Sequence, residues 1–172
     1  MNKKIQNAIN KQIQEELYSS YLYVAMAAYA KREGYDGLGN WFEVQSKEEN
    51  DHAMGFYNYI LDNDGEVQLG QIDEPPKNFN DPLSLFQEGL KHEQHITSTI
   101  HQLYELGLQE KDYTFVSFVK WYLDEQLEEE ATARKYIDKA KLIGADKGGM
   151  YMLDQELAQR SYTPASILES QG

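Results

Sequence analysis

Glu49 and His52 stand three residues apart within the segment Glu48–His52, a spacing that puts both side chains on one face of a helix. An isolated pair of this kind is more often solvated on a helix surface. Here the same face continues in residues of the core type, which are Phe42, Gln45, Phe56 and Tyr59. Because burying an unpaired charge on such a face is costly, and because carboxylate and imidazole bind metal ions, the pair predicts a buried metal site.

Three other predicted helices carry polar residues in an otherwise apolar stripe. The first contains Glu16, the third contains Glu93, and the fourth contains the pair Gln126 and Glu129. Their apolar neighbours at helical spacing include Ile9, Ile13, Tyr23, Ala27, Phe86, Leu90, Ile100, Tyr104, Phe115, Val119, Tyr122, Ala133 and Ile137. We therefore expect four helices that each direct a polar group into one core.

Caps and turns define the elements that position these residues. The sequence predicts helices over residues 5–33, 36–64, 82–110, 113–143 and 146–160, with Asp36 and Asp81 as N-caps and with ends at Gly34 and Gly144. Residues 65–81 contain two prolines and no helical period, and they are long enough to cross a whole bundle. The prediction is an all-α four-helix bundle with a long crossover between helices two and three and a short fifth helix. We assign residues 1–160 to this domain and 161–172 to a C-terminal tail.

The predicted hairpins place the polar interruptions at one height. Glu16 and His52 each lie 18 residues from Gly34, and Glu93 and Gln126 lie at nearly equal distances from the second turn. One alternative is a metal-free hydrogen-bonded network of Glu, His, Gln and Tyr. That network is the weaker hypothesis, since four carboxylates would face one histidine without a buried Lys or Arg. The pattern favours a dinuclear site with oxygen-rich ligands, which suits iron or manganese.

Composition excludes several other functions. The chain has no cysteine, which excludes disulfides, thiolate zinc sites and protein-ligated iron–sulfur clusters. A formal net charge of −13 makes nucleic acid and anionic membrane poor partners, whereas it attracts cations. The N-terminal residues lack the apolar core of a signal peptide, and the longest apolar run is too short to span a bilayer. These features predict a cytoplasmic protein without membrane partners.

Four motifs together resemble those of the bacterial and archaeal non-haem ferritins. They are Glu16-Leu17-Tyr18-Ser19-Ser20, Glu48-Glu49-x-x-His52, Lys91-His92-Glu93-Gln94 and the segment from Trp121 to Glu130. The resemblance covers essentially the whole chain and implies a ferritin-like four-helix bundle. It also implies that Glu16, Glu49 and His52 bind a first iron, and that Glu49 bridges to a second iron held by Glu93 and Glu129. Gln126 would line the site.

Departures from neighbouring families refine this interpretation. Bacterioferritins and rubrerythrin-like oxidases carry a second Glu-x-x-His motif, where this chain has Gln126-x-x-Glu129. The second position thus lacks an imidazole, which suits iron that passes through. The position after Glu49, which holds the haem-binding methionine of bacterioferritins, is Asn50, so no haem is expected.

Other residues around the site have two possible roles. Glu48, Glu125 and Glu128 could form a third metal position, as the resemblance implies, or an ordinary acidic surface. Tyr23 could donate a hydrogen bond or an electron beside the first iron, or could serve only as a core aromatic residue. The remaining histidines, which are His92, His95 and His101, are interpreted as surface residues.

The resemblance implies an iron-storage protein with ferroxidase activity. Fe²⁺ would be oxidised by O₂ or H₂O₂ and stored as a ferric mineral inside a shell of identical subunits, 24 in number by family. The fifth helix would pack at a symmetry axis of that shell. The alternatives are a small-oligomer di-iron oxidase or peroxidase, and a structural bundle without metal.

Overall fold

The computed structural model describes residues 1–169 of the 172-residue chain, and it is helical without any strand in that range. Its helices are α1 Lys3–Arg32, α2 Asp36–Asp62, α3 Pro82–Gln109, α4 Tyr113–Ile143, α5 Lys147–Leu157 and α6 Ser166–Glu169. The predicted four-helix bundle with a short fifth helix is confirmed. Within residues 1–169, no helix has an apolar stretch long and hydrophobic enough to cross a membrane.

Short turns join the long helices into two hairpins. Gly34 follows α1 with a φ of 86°, a backbone conformation that is strained for any residue with a side chain. Helix α2 begins two residues later. Gly144 ends α4 with a φ of 57°.

The chain between α2 and α3 has no regular structure and returns along α1. There Asn10 donates to the carbonyl of Glu66 at 3.0 Å and accepts from the amide of Gln68 at 2.7 Å. The predicted long crossover is therefore confirmed.

Most predicted helix starts agree with the structure, and one cap is wrong. Asp81 caps α3 in a reciprocal arrangement with Ser84, as expected from an Asp-Pro start. Asp36, however, is the first residue of α2, and the capping position falls to Tyr35, whose side chain makes no cap hydrogen bond. The Asp36 carboxylate still lies at the positive end of the helix dipole, which is favourable without a specific hydrogen bond.

The core consists of two apolar clusters with a polar layer between them. One cluster contains Ile9, Ile13, Phe56, Ile100 and Phe115, and the other contains Met26, Leu38, Phe42, Phe86 and Ile137. The predicted inward stripes of α1, α2 and α4 are buried throughout, whereas Leu90 and Tyr104 of α3 are only half-buried. The buried face of α3 is turned toward Leu85, Gly89, His92 and Ile96. The polar layer lies at the height at which the hairpin spacing predicts it.

The segment after α5 is attached to the bundle. Ile167 of α6 is buried in the cluster that contains Phe56 and Tyr122. Trp121 donates to the hydroxyl of Ser166 at 3.0 Å. The predicted tail is thus attached to the bundle through Ser166 and Ile167, and residues 170–172 lie outside the described part of the chain.

Candidate metal centre

Three helical side chains from α1 and α2 point at one another inside the bundle. One ligand atom each from Glu16, Glu49 and His52 lies within 4.8 Å of the other two, and each side chain is buried. His52 Nδ1 lies 3.3 Å from Glu49 Oε2. The hairpin turn at Gly34 brings Glu16 level with His52, while the i,i+3 spacing within α2 places Glu49 beside His52. The predicted first ligand group is brought together by the fold.

Glutamines one helical turn before two of these carboxylates fix their orientation. Gln12 Nε2 donates to Glu16 Oε1 at 2.8 Å, and Gln45 Nε2 donates to Glu49 Oε1 at 2.9 Å. Each pair has i,i+4 spacing on its own helix. Each amide therefore occupies one oxygen of its carboxylate. The remaining oxygen of Glu16 has no partner and is free to bind a cation, whereas that of Glu49 faces His52 Nδ1. Neither Gln12 nor Gln45 has a role predicted from the sequence, although their repeated i,i+4 spacing to a buried glutamate is a signal of one.

Helices α3 and α4 supply the second half of the polar layer. Gln126 Nε2 donates to Glu93 Oε2 at 3.0 Å, and the Tyr23 hydroxyl donates to the other oxygen of the same carboxylate. Glu129 is buried one helical turn beyond Gln126. Burial and the nearby Glu93 carboxylate raise the pKa of Tyr23, so that its hydroxyl stays protonated as a donor. The structure thus places Tyr23, Gln126, Glu93 and Glu129 together.

Without a metal ion, three of the four buried carboxyl groups hold their protons more tightly than usual. Burial, reinforced by repulsion from Glu49, raises the pKa of Glu16 and of Glu129 to about 8 each, and raises the pKa of Glu93 well above its ordinary value. Burial alone would lower the pKa of His52, but the Glu49 carboxylate outweighs it and raises this pKa to about 10. Burial alone would raise the pKa of Glu49, but His52 holds it below the ordinary range. The charged centre of the layer is therefore a Glu49–His52 ion pair.

The donor set fits iron, and the orphaned oxygen of Glu16 supports this assignment. Glu16 Oε2 and His52 Nε2 are buried without a hydrogen-bond partner, a costly state for polar groups. Among residues 1–169 no Lys or Arg is buried to neutralise the four carboxylates. Carboxylate oxygens with one imidazole are the ligands that iron accepts in such bundles. If His52 binds metal through Nδ1, its Nε2 carries a proton that faces Glu125 Oε1 at 3.9 Å.

A cavity outside this layer contains the three predicted peripheral residues. It measures about 210 Å³, and Glu48, Glu125 and Glu128 line it together with His52 and Glu129. Glu128 is exposed, whereas Glu48 and Glu125 are partly buried. The cavity therefore opens from solvent toward His52 and Glu129 of the buried layer. Its remaining lining residues are Trp121, Thr132, Arg160, Thr163, Ala165 and Ser166.

One histidine prediction is wrong. His92 is buried, and its Nε2 lies 2.7 Å from the Ser19 hydroxyl, whereas His95 and His101 are exposed as expected. Burial lowers the pKa of His92, so the ring is neutral near pH 7. His92 lies at helical spacing from Gly89 and Ile96, and these residues form a second inward stripe on α3. The prediction of a single inward stripe does not include it.

Fold and site together define a class of protein: a four-helix bundle with a crossover that gathers carboxylates and a histidine in its buried core. A profile of the ferritin-like domain matches residues 6–143. The chain belongs to the ferritin family.

Similar proteins support that membership along nearly the whole chain. The bacterial non-heme ferritin of Staphylococcus epidermidis is 38% identical over 162 residues, which is 94% of this chain and 98% of the relative. The bacterial non-heme ferritin of Staphylococcus aureus is 36% identical with the same coverage. An engineered closed form of Archaeoglobus fulgidus ferritin superimposes with a TM-score of 0.94 at 40% identity, covering 95% of this chain and 99% of the other. The open-pore ferritin of that archaeon gives a TM-score of 0.92 at 41% identity, covering 94% and 98%.

Proposed function

We propose that this protein stores iron and that it oxidises Fe²⁺ at the buried polar layer. The observation that carries the proposal is the convergence of Glu16, Glu49 and His52 within 4.8 Å in a core without a buried Lys or Arg among residues 1–169. Iron is the substrate and the cargo of such a protein. The family function of its named relatives, the non-heme ferritins, agrees with this chemistry.

Each residue of the layer has a role in this proposal. Glu16, Glu49 and His52 hold one Fe²⁺, and Glu49 is shared with a second Fe²⁺ held by Glu93 and Glu129. The oriented carboxylates stabilise Fe³⁺ more than Fe²⁺, because hard anionic oxygens favour the higher charge. Gln126 and Tyr23 hold Glu93 in place through the hydrogen bonds described above.

The oxidation needs a partner that accepts two electrons. Each of two Fe²⁺ ions loses one electron, and together they reduce O₂ to H₂O₂, or H₂O₂ to two molecules of water, with the uptake of two protons.

Because the second position has no imidazole, we propose that Fe³⁺ leaves it and passes through the outer cavity. Glu48, Glu125 and Glu128 would form the third metal position on that route.

The storage function requires a closed shell. We propose a homo-oligomer of 24 subunits in the cytoplasm, in which α5 packs at a symmetry axis and the mineral forms inside. Apolar side chains of α5 such as Met152 and Tyr151 are exposed in the single chain, as expected of a surface that another subunit covers.

Light scattering after size-exclusion chromatography, followed by aerobic loading with Fe²⁺, tests the proposal. We expect a particle near 24 times the 19.9 kDa mass of the chain, and an iron content far above three ions per chain. A monomer or dimer that binds two iron ions and forms no mineral would contradict storage. That result would instead support a small-oligomer di-iron oxidase.

A further inference from the structure

Arg160 supplies the one guanidinium among the described residues that line the outer cavity. We propose that this side chain is a built-in cation that competes with metal for Glu48, and that it thereby weakens the third metal position. The inference rests on the proposed function, since it concerns the route by which Fe³⁺ leaves the dinuclear layer.

The guanidinium is held on three sides. Its Nη2 donates to a Glu48 carboxylate oxygen, and its Nη1 donates to Gln45 Oε1 at 2.8 Å. Its central carbon lies 4.4 Å from the centre of the Trp41 ring, within the range of a cation–π contact. The side chains of Arg160 and Glu48 are only 23% and 21% exposed, so solvent screens this ion pair less than a surface pair.

The chain at Arg160 and after it is also fixed. Asn40 Nδ2 donates to the Arg160 carbonyl at 2.9 Å. Beyond it, the buried Asp51 carboxylate accepts from the Tyr162 hydroxyl at 2.7 Å and from the Ala165 amide at 3.0 Å. The segment 160–169 therefore forms a strap along the cavity, and the strap places the Arg160 guanidinium beside Glu48.

A metal ion at the third position would meet this cation directly. Glu48 cannot give both of its oxygens to a metal while it accepts from Arg160, and two cations on one carboxylate repel each other. A metal ion that takes both oxygens of Glu48 must therefore displace the guanidinium, and the free energy of the ion pair is then subtracted from the free energy of metal binding. An ion that is bound this weakly dissociates readily, which suits a transient position on the exit route better than a stable metal site.

The displacement would also reach the dinuclear layer. Gln45 accepts from Arg160 through Oε1 and donates to Glu49 through Nε2, so that one amide joins the guanidinium to the shared carboxylate. When Arg160 leaves, Gln45 loses the contact that fixes which end of its amide faces Glu49. Occupation of the outer position thus loosens the orientation of the shared ligand.

Titration with Zn²⁺, a redox-inactive probe, tests the competition in the assembled protein. Calorimetry gives the number of ions per chain and the affinity of the weakest one. For Arg160→Gln we expect the weakest ion to bind about tenfold more tightly than in the wild type. Arg160→Lys keeps the charge and should stay near the wild-type affinity.

The matched control is Arg134→Gln. Arg134 forms an ion pair with Glu130 at 2.8 Å, and neither residue lines the cavity, so the substitution changes net charge equally. Its Zn²⁺ affinity should remain within about twofold of the wild type. In the double variant with Glu128→Gln and Arg160→Gln, the gain in Zn²⁺ affinity should disappear. That result would show that the gain arises in the outer cavity.

Two outcomes would overturn the inference while leaving the proposed function intact. Equal affinity in Arg160→Gln and Arg134→Gln would show that Arg160 does not compete. Weaker binding in Arg160→Gln would show that Arg160 supports the site. A third ion that is missing from every variant would overturn the third position itself, and with it the proposed exit route.

A second measurement leaves Arg160 unaltered, in case Arg160→Gln does not assemble. The chain has two tryptophans, so Trp121→Phe leaves Trp41 as the only indole. Because the guanidinium packs on Trp41, its displacement should change the Trp41 emission when the third equivalent of Zn²⁺ binds. Emission that stays constant through that equivalent would contradict the displacement.

Discussion

Amide side chains set the orientation of the carboxylates in the buried layer. Gln12, Gln45 and Gln126 each donate to a glutamate of the layer, at 2.8, 2.9 and 3.0 Å respectively. An amide can hold a carboxylate oxygen without neutralising its charge. Lys or Arg in the same positions would neutralise the site and compete with iron. Neutral donors therefore keep the layer both ordered and attractive to cations.

Two substitutions distinguish the role proposed for the buried layer from the role proposed for the outer cavity. His52→Ala removes the one imidazole among the predicted iron ligands, and Fe²⁺ oxidation should slow by about 100-fold or more. Glu128→Ala alters an exposed residue of the outer cavity, so the initial oxidation rate should stay within about twofold of the wild type while later turnover changes. Stopped-flow absorbance after mixing with Fe²⁺ and O₂ measures both phases. If Glu128→Ala were as slow as His52→Ala, the division between the two regions would be wrong.

The sequence was sufficient to predict the residues of the layer and insufficient to predict what surrounds them. Glu16, Glu93 and Glu129 stand out because a charge on an apolar stripe requires a partner. Arg160 does not stand out, because a lone arginine after a short helix is ordinary on a protein surface. Its proximity to Glu48, 112 positions away in the chain, depends on how the segment after α5 turns back. Contacts of that range have no local signal in one sequence.

Helix spacing predicts the four long elements well because each obeys local rules. Caps, glycines with positive φ and the 3.6-residue period predict every boundary of α1 to α4 within two residues. The short helix α6, over Ser166–Glu169, has no such signal. It is only four residues long, and its position is supported by the burial of Ile167 against α2 and α4. Tertiary packing, which one sequence does not display, decides that element.

The strap should detach when its apolar anchor is shortened. A Cβ on Gly55 would come within 3.1 Å of two Ile167 carbon atoms, so the bare backbone of α2 makes the room that Ile167 fills. Ile167→Ala should raise amide exchange in residues 161–169 by about tenfold or more while the long helices keep their protection. Hydrogen–deuterium exchange by mass spectrometry measures this, with the exposed Gln159→Ala as the control. Unchanged exchange in Ile167→Ala would contradict the anchor role.

For the whole molecule, the buried layer should make folding stability fall as the pH rises, which is the reverse of the usual trend for a protein with paired carboxylates. Ordinary paired carboxylates have lowered pKa values and stabilise the fold as the pH rises. Here Glu16 and Glu129 have pKa values of about 8 and His52 of about 10, all above their values in an unfolded chain. The metal-free fold thus binds more protons than the unfolded chain across neutral pH, and its stability falls as the pH rises.

We expect the thermal midpoint of the metal-free protein to fall steadily between about pH 6 and pH 9. The contribution of Glu16 and Glu129 is fully present below about pH 4.5 and is lost as the pH passes about 8, and that of His52 is lost toward about 10. Divalent metal reverses the trend, because it binds the deprotonated ligands and releases their protons. Calorimetric scans with a chelator and with excess Zn²⁺ give the two slopes, and a pH-stat gives the protons released. Glu16→Gln removes one titrating group and should flatten the metal-free slope. A metal-free midpoint that rises from pH 6 to pH 9 would mean that the buried carboxylates are already paired with a cation of the protein, which would remove the reason for iron to bind there.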